Sequence, residues 1–323
     1  MDNSTVLPEN GSSLNSPGFM VYCILLAVLT VVAGIMLGFT VVSLLMATSL
    51  PRPVRLFLIN LLVGGLLVVV IMMFILGTSI ALIGESAQLP APRYLCRVYL
   101  WVFGIGGVAR LWSLAAFSFA ILGIVKFGKK TISLWSAAVV IAILWLVPMF
   151  LSLYLMLPYV FEAQFFDGVA CFPDRNNVII VEARYTFLLT WSFLGGIIPL
   201  IVSIIVPIVC LCYIKRHMVS EGTQYRKGMA KFSLFLVVGG CINVAGQALP
   251  ALLSLSLAAP GIYLSYGCAV LSLLPTPIII LAYLKPVQVQ AKKIVTFGQM
   301  LEGSFQRRMT TTTDVTPSTD EKI

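Results

Sequence analysis

Long apolar stretches separated by short polar segments dominate the chain. A helix that crosses the roughly 30 Å hydrocarbon core of a bilayer needs about 20 apolar residues. Runs such as 61–83 lack the polar and apolar alternation of a barrel strand, and helices satisfy their own backbone hydrogen bonds in lipid. We therefore predict an all-α integral membrane protein, a bundle of seven transmembrane helices within residues 19–284. The predicted spans are about 19–47, 54–83, 98–125, 132–157, 185–214, 232–258 and 262–284.

Polar segments lie at both ends of the chain. Residues 1–18 are rich in Asn, Ser, Pro and Gly, and residues 298–323 are rich in Thr and Ser, so both tails are expected to be disordered. No basic segment precedes the first apolar stretch, which is also too long for the core of a signal peptide. We therefore expect that stretch to be a retained helix.

The composition excludes a water-exposed surface of ordinary size. Of 323 residues, 59% are apolar and only 10% are charged, and the mean hydropathy is +1.02, which disfavours a soluble enzyme. The net charge of +9 could indicate a nucleic-acid or anionic-lipid partner. The positions of the charges along the predicted topology decide between these readings.

Lys and Arg concentrate on one side of the predicted membrane. That side holds sixteen of them with five acids, and the other side holds four with seven acids, a net charge of +11 against −3. The excess predicts a cytoplasmic side and an extracellular amino terminus in the plasma membrane. The basic excess is thus a topology signal, and no nucleic-acid partner is expected. The sixteen are Arg52, Arg55, Lys126, Lys129, Lys130, Lys215, Arg216, Arg226, Lys227, Lys231, Lys285, Lys292, Lys293, Arg307, Arg308 and Lys322.

Two further patterns agree with this orientation. Sequons begin at Asn3 and Asn10 in the predicted extracellular tail, which makes both residues candidates for glycosylation. Of seven cysteines, only Cys96 and Cys171 fall in predicted outer loops. A disulfide between them is expected in an oxidising compartment, and two free thiols are the alternative.

The order of these features resembles the rhodopsin-like (class A) G-protein-coupled receptors, in a divergent form, over about residues 30–297. Residues 52–61, reading Arg-Pro-Val-Arg-Leu-Phe-Leu-Ile-Asn-Leu, look like the first inner loop and the start of helix two. Trp145 looks like the helix-four tryptophan, and Pro199 and Pro250 look like the prolines of helices five and six. The segment from Thr276-Pro277 resembles the helix-seven motif, and it implies an amphipathic eighth helix at 285–297.

Several residues that the family uses as a switch are replaced. The Asp-Arg-Tyr triplet maps to 120–122, which reads Ala-Ile-Leu, and the sodium-binding aspartate of helix two maps to Gly65. The Cys-Trp-x-Pro segment of helix six reads Gln247-Ala-Leu-Pro250, and the tyrosine of the helix-seven motif is Ile280. The resemblance therefore implies the scaffold without its usual activation network.

Arg110 is the one charge that the topology does not explain, since it lies about thirteen residues into the third span. Such a charge costs several kcal/mol in lipid and needs partners. Candidates are Asn243, Gln247, Ser113, Ser272 and carbonyls near prolines. By register, Arg110 falls in the layer of the family's sodium ion, so its guanidinium either ties helices three, six and seven in place of that cation or meets an acidic ligand. Snorkelling, or a shifted register, is the remaining alternative.

The resemblance also implies a ligand cavity in the outer half of the bundle. Its lining is apolar, which favours an apolar small molecule, a lipid or a peptide. Phe103 stands where amine receptors keep an aspartate. The candidate ligand-binding residues are Phe103, Gly107, Trp191, Ala251, Leu252 and Tyr266, and the candidate switch or packing residues are Arg110, Asn243, Gln247, Pro250 and Pro277.

The expected function is that of a receptor that senses an extracellular ligand and signals to heterotrimeric G proteins. Phosphorylation of the Thr-rich tail at 310–319 would recruit an arrestin-like partner, although such tails are also common as unstructured segments. The basic residues of the inner loops have two explanations, contact with anionic lipid and contact with a G protein. The alternative is a receptor-derived scaffold, decoy or transporter that does not activate G proteins. With a single histidine, His217, and no phosphate-binding loop, no catalytic site, metal or cofactor is expected.

Overall fold

The computed structural model describes residues 17–84, 93–127, 133–153, 163–166, 170–173, 192–217, 227–242 and 267–296. In its first half, α1 runs Pro17–Met46, α2 Arg52–Gly84, α3 Arg93–Phe127 and α4 Leu134–Leu153. A hairpin of two short antiparallel strands follows, β1 at Ala163–Phe166 and β2 at Ala170–Pro173.

The second half contains the remaining helices. α5 spans Ile198–His217 and is preceded by a π-helical turn at Ser192–Ile197. α6 covers 227–242, and α7 covers Gly267–Tyr283 with an interruption at 272–274. α8, Lys285–Thr296, leaves α7 at an angle of 98°.

Each of the seven predicted spans contains helix among the described residues, and the all-α class is confirmed. α1, α2, α3 and α5 are long and apolar enough to cross a membrane by themselves. Several helices extend beyond the predicted spans: α3 begins at Arg93, five residues early, and α6 begins at 227, also five residues early. Apolar stretches mark only the part of a helix that lies in lipid, so charged helical turns in the interface are missed.

Apolar side chains cover the outside of the bundle as well as its core. Ile35 is 65% exposed on α1, Phe119 is 54% exposed on α3, and Trp135 is 78% exposed on α4. In water, exposed apolar surface on this scale would drive association. These faces are therefore lipid-facing, and the chain is a multi-pass membrane protein.

α3 is the central helix, because it packs against α2, α4, α5 and the hairpin. A buried polar network joins three of these helices. The side-chain amide of Asn60 on α2 donates to the Ser113 hydroxyl on α3 at 2.6 Å, and the Trp145 indole on α4 donates to the Asn60 oxygen at 2.7 Å. Ser113 in turn donates to the carbonyl of Ala109. All partners of Asn60 are thus internal, which fixes α2, α3 and α4 in one register.

The π-helical turn before α5 accepts a hydrogen bond from α3. Pro199 has no N–H, so the Leu194 carbonyl, five residues earlier, cannot receive a π-type bond from it. The Trp112 indole of α3 donates to that carbonyl at 3.0 Å. A side chain of α3 therefore takes the place of the missing backbone donor and joins α3 to α5.

The hairpin was not predicted from the sequence. In its register Phe165 pairs with Cys171 and Phe166 with Ala170. Asp167-Gly168, between two apolar runs, is a hairpin signal that could have revealed it.

α8 carries the amphipathic character expected at 285–297. Val287 is fully buried, whereas Lys285, Lys292 and Lys293 are exposed. The helix ends at Thr296, one residue before the predicted end. Its sharp angle to α7 is appropriate for a helix that lies along a membrane surface.

Replacement of Trp145 by Phe tests the polar network. The variant removes the donor to Asn60 but keeps the aromatic ring, so we expect a loss of about 1 kcal/mol of stability, the usual scale for a hydrogen bond between membrane helices. Thermal unfolding in detergent measures it. Trp135→Phe, on the exposed face of the same helix, is the control and should leave the midpoint unchanged. Equal midpoints for the two variants would contradict the network.

Candidate functional site

Arg110 lies deep inside the bundle. Only 3% of its surface is exposed, and it belongs to the apolar part of α3, Gly104–Phe127. Its neighbours along the helix, Val108 and Ala109, are also buried. The side chain is therefore enclosed by the bundle, which disfavours the snorkelling alternative. A guanidinium at such a depth costs about 2.5–3.5 kcal/mol on insertion scales, so its surroundings must compensate.

One partner of the guanidinium lies on α7. Nη2 of Arg110 donates to Oγ1 of Thr276 at 3.5 Å, across 166 residues of sequence. Thr276 is itself 4% exposed. This contact joins α3 to α7, two of the three helices that Arg110 was expected to tie, through a threonine that was not among the expected partners.

Gly64 of α2 makes room for the arginine, and Gly65 lies beside the same side chain. A Cβ added to Gly64 would lie 2.6 Å from Cγ of Arg110, and one added to Gly65 would lie 3.6 Å from its Nε. The side chain thus passes directly over the α2 backbone on its way from α3 to α7. Gly65 is the position to which the family's sodium-binding aspartate maps, so a cationic side chain faces the place where the acidic residue is missing.

Gly64 of α2 and Gly106 of α3 also allow these two helices to approach closely. A Cβ on Gly106 would lie 3.1 Å from the Gly64 carbonyl oxygen and 2.9 Å from a methyl group of Val68. Small residues at this crossing let the two backbones come together, as is common between membrane helices.

Thr276 owes its position to the interruption of α7. Pro275 and Pro277 cannot donate backbone hydrogen bonds, and both lie at the start of the last segment of that helix. Ahead of them, Leu273 N–H bonds to the Val270 carbonyl in a tighter, 3₁₀-type turn. The prolines therefore break the helix and present Thr276 toward α3. Pro277, a predicted switch residue, is buried in this segment.

Among the described residues, apolar and hydroxyl side chains make the contacts between the inner half of α3 and α6. Ala120 and Ile121, where the family's acidic residue and arginine would stand, are 3% and 0% exposed. One turn away, the Ser118 and Ser233 hydroxyls lie 3.2 Å apart, and the rings of Phe117 and Phe232 meet edge to face at 5.9 Å. Apolar packing and one hydroxyl pair hold this end closed.

Two of the serines proposed as partners of Arg110 also make bonds of their own. Ser113 belongs to the network with Asn60. The hydroxyl of Ser272 donates to the Ala269 carbonyl at 2.6 Å. The other two candidates, Asn243 and Gln247, lie outside the described residues.

Most of the predicted extracellular sites also lie outside the described residues. Gly107 is buried on α3, one turn from Arg110, and Phe103 and Cys96 belong to the same helix without a described side chain. Cys171 lies in β2, which contacts α3. The positions outside are Asn3, Asn10, Trp191, Pro250, Ala251, Leu252 and Tyr266.

Three elements of the site were not predicted from the sequence: Thr276, Gly64 and the contact of Ser118 with Ser233. The sequence could have indicated the role of Thr276, because this residue occupies the place of the asparagine in the family's Asn-Pro motif. Gly64 stands beside Gly65 four residues from Asn60, but its role depends on which α3 side chain crosses it. Among the described residues no group of three or more His, Cys, Asp or Glu side chains could hold a metal ion.

Comparisons with known proteins agree with this arrangement. The family model described as 7 transmembrane receptor (rhodopsin family) matches residues 38–245, which is more than half of the chain. Among solved structures, squid rhodopsin superposes with a TM-score of 0.68 at 15% sequence identity, covering 85% of this chain and 80% of that chain. A search of curated protein sequences finds no match.

Substitution of Gly64 by Ala tests the passage of Arg110 over α2. The new methyl group would clash with Cγ of Arg110 and lie 3.3 Å from the Gly106 carbonyl, so we expect a loss of about 1–3 kcal/mol, the usual cost of overpacking. The measurement is thermal unfolding in detergent.

Gly38→Ala is the matched control, because a Cβ at Gly38 meets nothing within 4 Å. Addition of Arg110→Ala to the Gly64 variant removes the clashing Cγ and should recover part of the loss. A Gly64→Ala protein as stable as the Gly38→Ala protein would refute the proposed path of the side chain.

Proposed function

Because the chain belongs to the rhodopsin family of seven-transmembrane receptors, we propose that it senses an extracellular ligand and signals to heterotrimeric G proteins in the cytoplasm. The observation that carries this proposal is the family match across residues 38–245. The family is one of receptors and not of enzymes. A receptor of this kind must have two helix packings whose balance the ligand shifts by binding them unequally.

The distribution of charges supports the orientation that this function needs. α2 begins at Arg52, α3 ends beside Lys126, and α5 ends beside Arg216. If each helix crosses the membrane, these ends share one side, which is the cytoplasmic side by the positive-inside rule. The amino terminus is then extracellular.

The extracellular side would carry the modifications proposed from the sequence. Asn3 and Asn10 would bear glycans in the tail. A disulfide would join Cys96 to Cys171, and it is supported by the position of Cys96 in the first turn of α3 and by the contact of β2 with that helix. Such a bond would hold the hairpin over the outer end of the bundle.

The ligand would enter the outer half of the bundle, next to Arg110. Gly107 is buried one turn outward from that residue, so a ligand that contacts α3 there lies above the contact between Arg110 and Thr276. With Phe103, Trp191 and the residues following Pro250, the proposed lining is apolar. We propose an apolar small molecule, a lipid or a peptide as the ligand.

The cytoplasmic end supplies the signalling surface. Among the residues that the structure describes, the contacts there between α3 and α6 are apolar apart from the hydroxyl pair of Ser118 and Ser233. A G protein can gain contact area by binding a packing in which these two helices separate. Because the described contacts between these helices are apolar, the cost of separating them depends on the burial of side chains such as Phe117 and Ile121. Phosphorylation of the tail at 310–319 would then create an acidic site for an arrestin-like partner.

Nucleotide exchange tests this proposal directly. Exchange on a panel of G proteins is measured in cells that express the chain, with and without an extracellular extract. At least one G protein should exchange above the level of cells without the receptor. Glycosidase-sensitive mobility of the surface-labelled protein serves as the control for orientation and delivery.

A specific observation defines the competing outcome. The arginine that meets the G protein in this family has been replaced by the buried Ile121. Surface expression with no basal or stimulated exchange on any G protein would contradict coupling. It would instead indicate a receptor-derived scaffold or decoy.

A further inference from the structure

A groove opens on the lipid-facing side of the bundle between α3 and α4. Its volume is about 700 Å³, and its lining is almost wholly apolar. Small residues of α3, Ala116, Ala120 and Gly123, form its floor, and the aromatic rings of Trp112, Phe119 and Phe127 form its walls.

The sequence produces this groove by its spacing along α3. Positions 112, 116, 119, 120, 123 and 127 recur at intervals of three and four and therefore share one face of the helix. Small side chains in the middle of that face leave a depression between larger ones. From 112 to 127 the face extends about 22 Å at 1.5 Å per residue, somewhat more than the half-thickness of about 15 Å of a bilayer core.

The surroundings of the groove indicate an apolar occupant. Phe119 and Phe127 are 54% and 66% exposed, and Val140 on the α4 side is 37% exposed. These side chains face lipid, so the groove opens to the hydrocarbon and not to water. A water molecule in the groove would find few polar partners, so the groove is not a favourable site for water.

Polar and basic groups stand at the inner end of the groove. Nζ of Lys126 lies 5.1 Å from the ring centroid of Phe127, one of the groove residues. The exposed Ser136 lines the same end from α4, and its hydroxyl donates to the Ser133 carbonyl at 2.9 Å and accepts from the Ser133 hydroxyl at 3.0 Å. In the sequence between them, residues 126–136 contain three lysines and no acid. This end therefore attracts an anion at the level of the membrane surface.

We propose that the groove binds an anionic phospholipid of the cytoplasmic leaflet. One acyl chain lies along the small residues of α3, and the phosphate lies beside Lys126 and Ser136. The basic end favours this occupant over a sterol, because a sterol presents only a neutral hydroxyl and would not pair with the charge of Lys126. The proposal goes beyond the receptor function and requires only that the Lys126 end of α3 face the cytoplasm.

An occupied groove would stabilise α3 from the side opposite to α6. Leu114, Phe117 and Ser118, which face α6, lie about half a helical turn away from the groove residues. A lipid in the groove therefore packs against α3, the helix that carries Arg110, and leaves the contacts between α3 and α6 uncovered.

Lipid binding to the purified full-length protein tests the proposal without ligand or G protein. The protein is titrated in neutral detergent with phosphatidylglycerol, phosphatidylcholine or cholesterol, and bound lipid is counted by native mass spectrometry. Phosphatidylglycerol should bind at least several-fold more tightly than phosphatidylcholine. Lys126→Gln should weaken phosphatidylglycerol about five-fold, the effect of one lysine near an anionic headgroup, and Lys126→Arg should restore it.

Matched variants separate this site from general attraction. Ala116→Trp should fill the groove and abolish tight binding, whereas Ile35→Trp adds the same bulk on the lipid-facing side of α1 and should leave it intact. Lys231→Gln removes an exposed charge from α6 and should also have no effect. If Ala116→Trp does not fold, the lysine variants alone decide.

Three results would overturn the proposal. The first is equal binding of the two phospholipids. The second is cholesterol binding that Ala116→Trp blocks and Lys126→Gln leaves unchanged, which would identify a sterol site. The third is a change of oligomeric state in Ala116→Trp with lipid binding intact, which would identify an interface between two copies of the chain.

Discussion

A guanidinium in the middle of an apolar bundle constrains the helices around it. Arg110 needs hydrogen-bond acceptors in a region that contains few, and it reaches Thr276 because α7 is broken there by prolines. It can reach that far because Gly64 leaves the surface of α2 open, where a Cβ would lie 2.6 Å from Cγ of Arg110. The cost of burying the charge is therefore tied to the relative positions of α2, α3 and α7, and a change in their packing changes it.

This dependence suggests how the protein can be a two-state receptor without the family's usual charged switch. At the inner end, where that switch would stand, Ala120 and Ile121 are buried in apolar packing against the rest of the bundle. The only buried charge described in the transmembrane core lies about three turns farther out, close to the proposed ligand layer. If a ligand displaced α7 or α2, the contacts of Arg110 would change first, and a movement of α3 would then alter its contacts with α6.

The sequence was sufficient for the fold class, because about twenty apolar residues per span are a direct consequence of bilayer thickness. It also singled out Arg110, since a charge in such a span has no ordinary explanation. It did not reveal Thr276 or Gly64, because both roles depend on which side chains meet across helices that are far apart in sequence. The π-helical turn at Ser192–Ile197 was missed for the same reason, because the Leu194 carbonyl within it accepts a hydrogen bond from Trp112 of another helix.

The claim that Arg110 ties α3 to α7 through Thr276 is tested most directly by a double-mutant cycle. Arg110→Met, Thr276→Val and the combined variant are compared with the parent protein by unfolding in detergent. We expect a coupling free energy of about 0.5–2 kcal/mol between the two substitutions, the range for interacting buried residues. Additive effects would show that the two side chains do not act together, and would contradict the account.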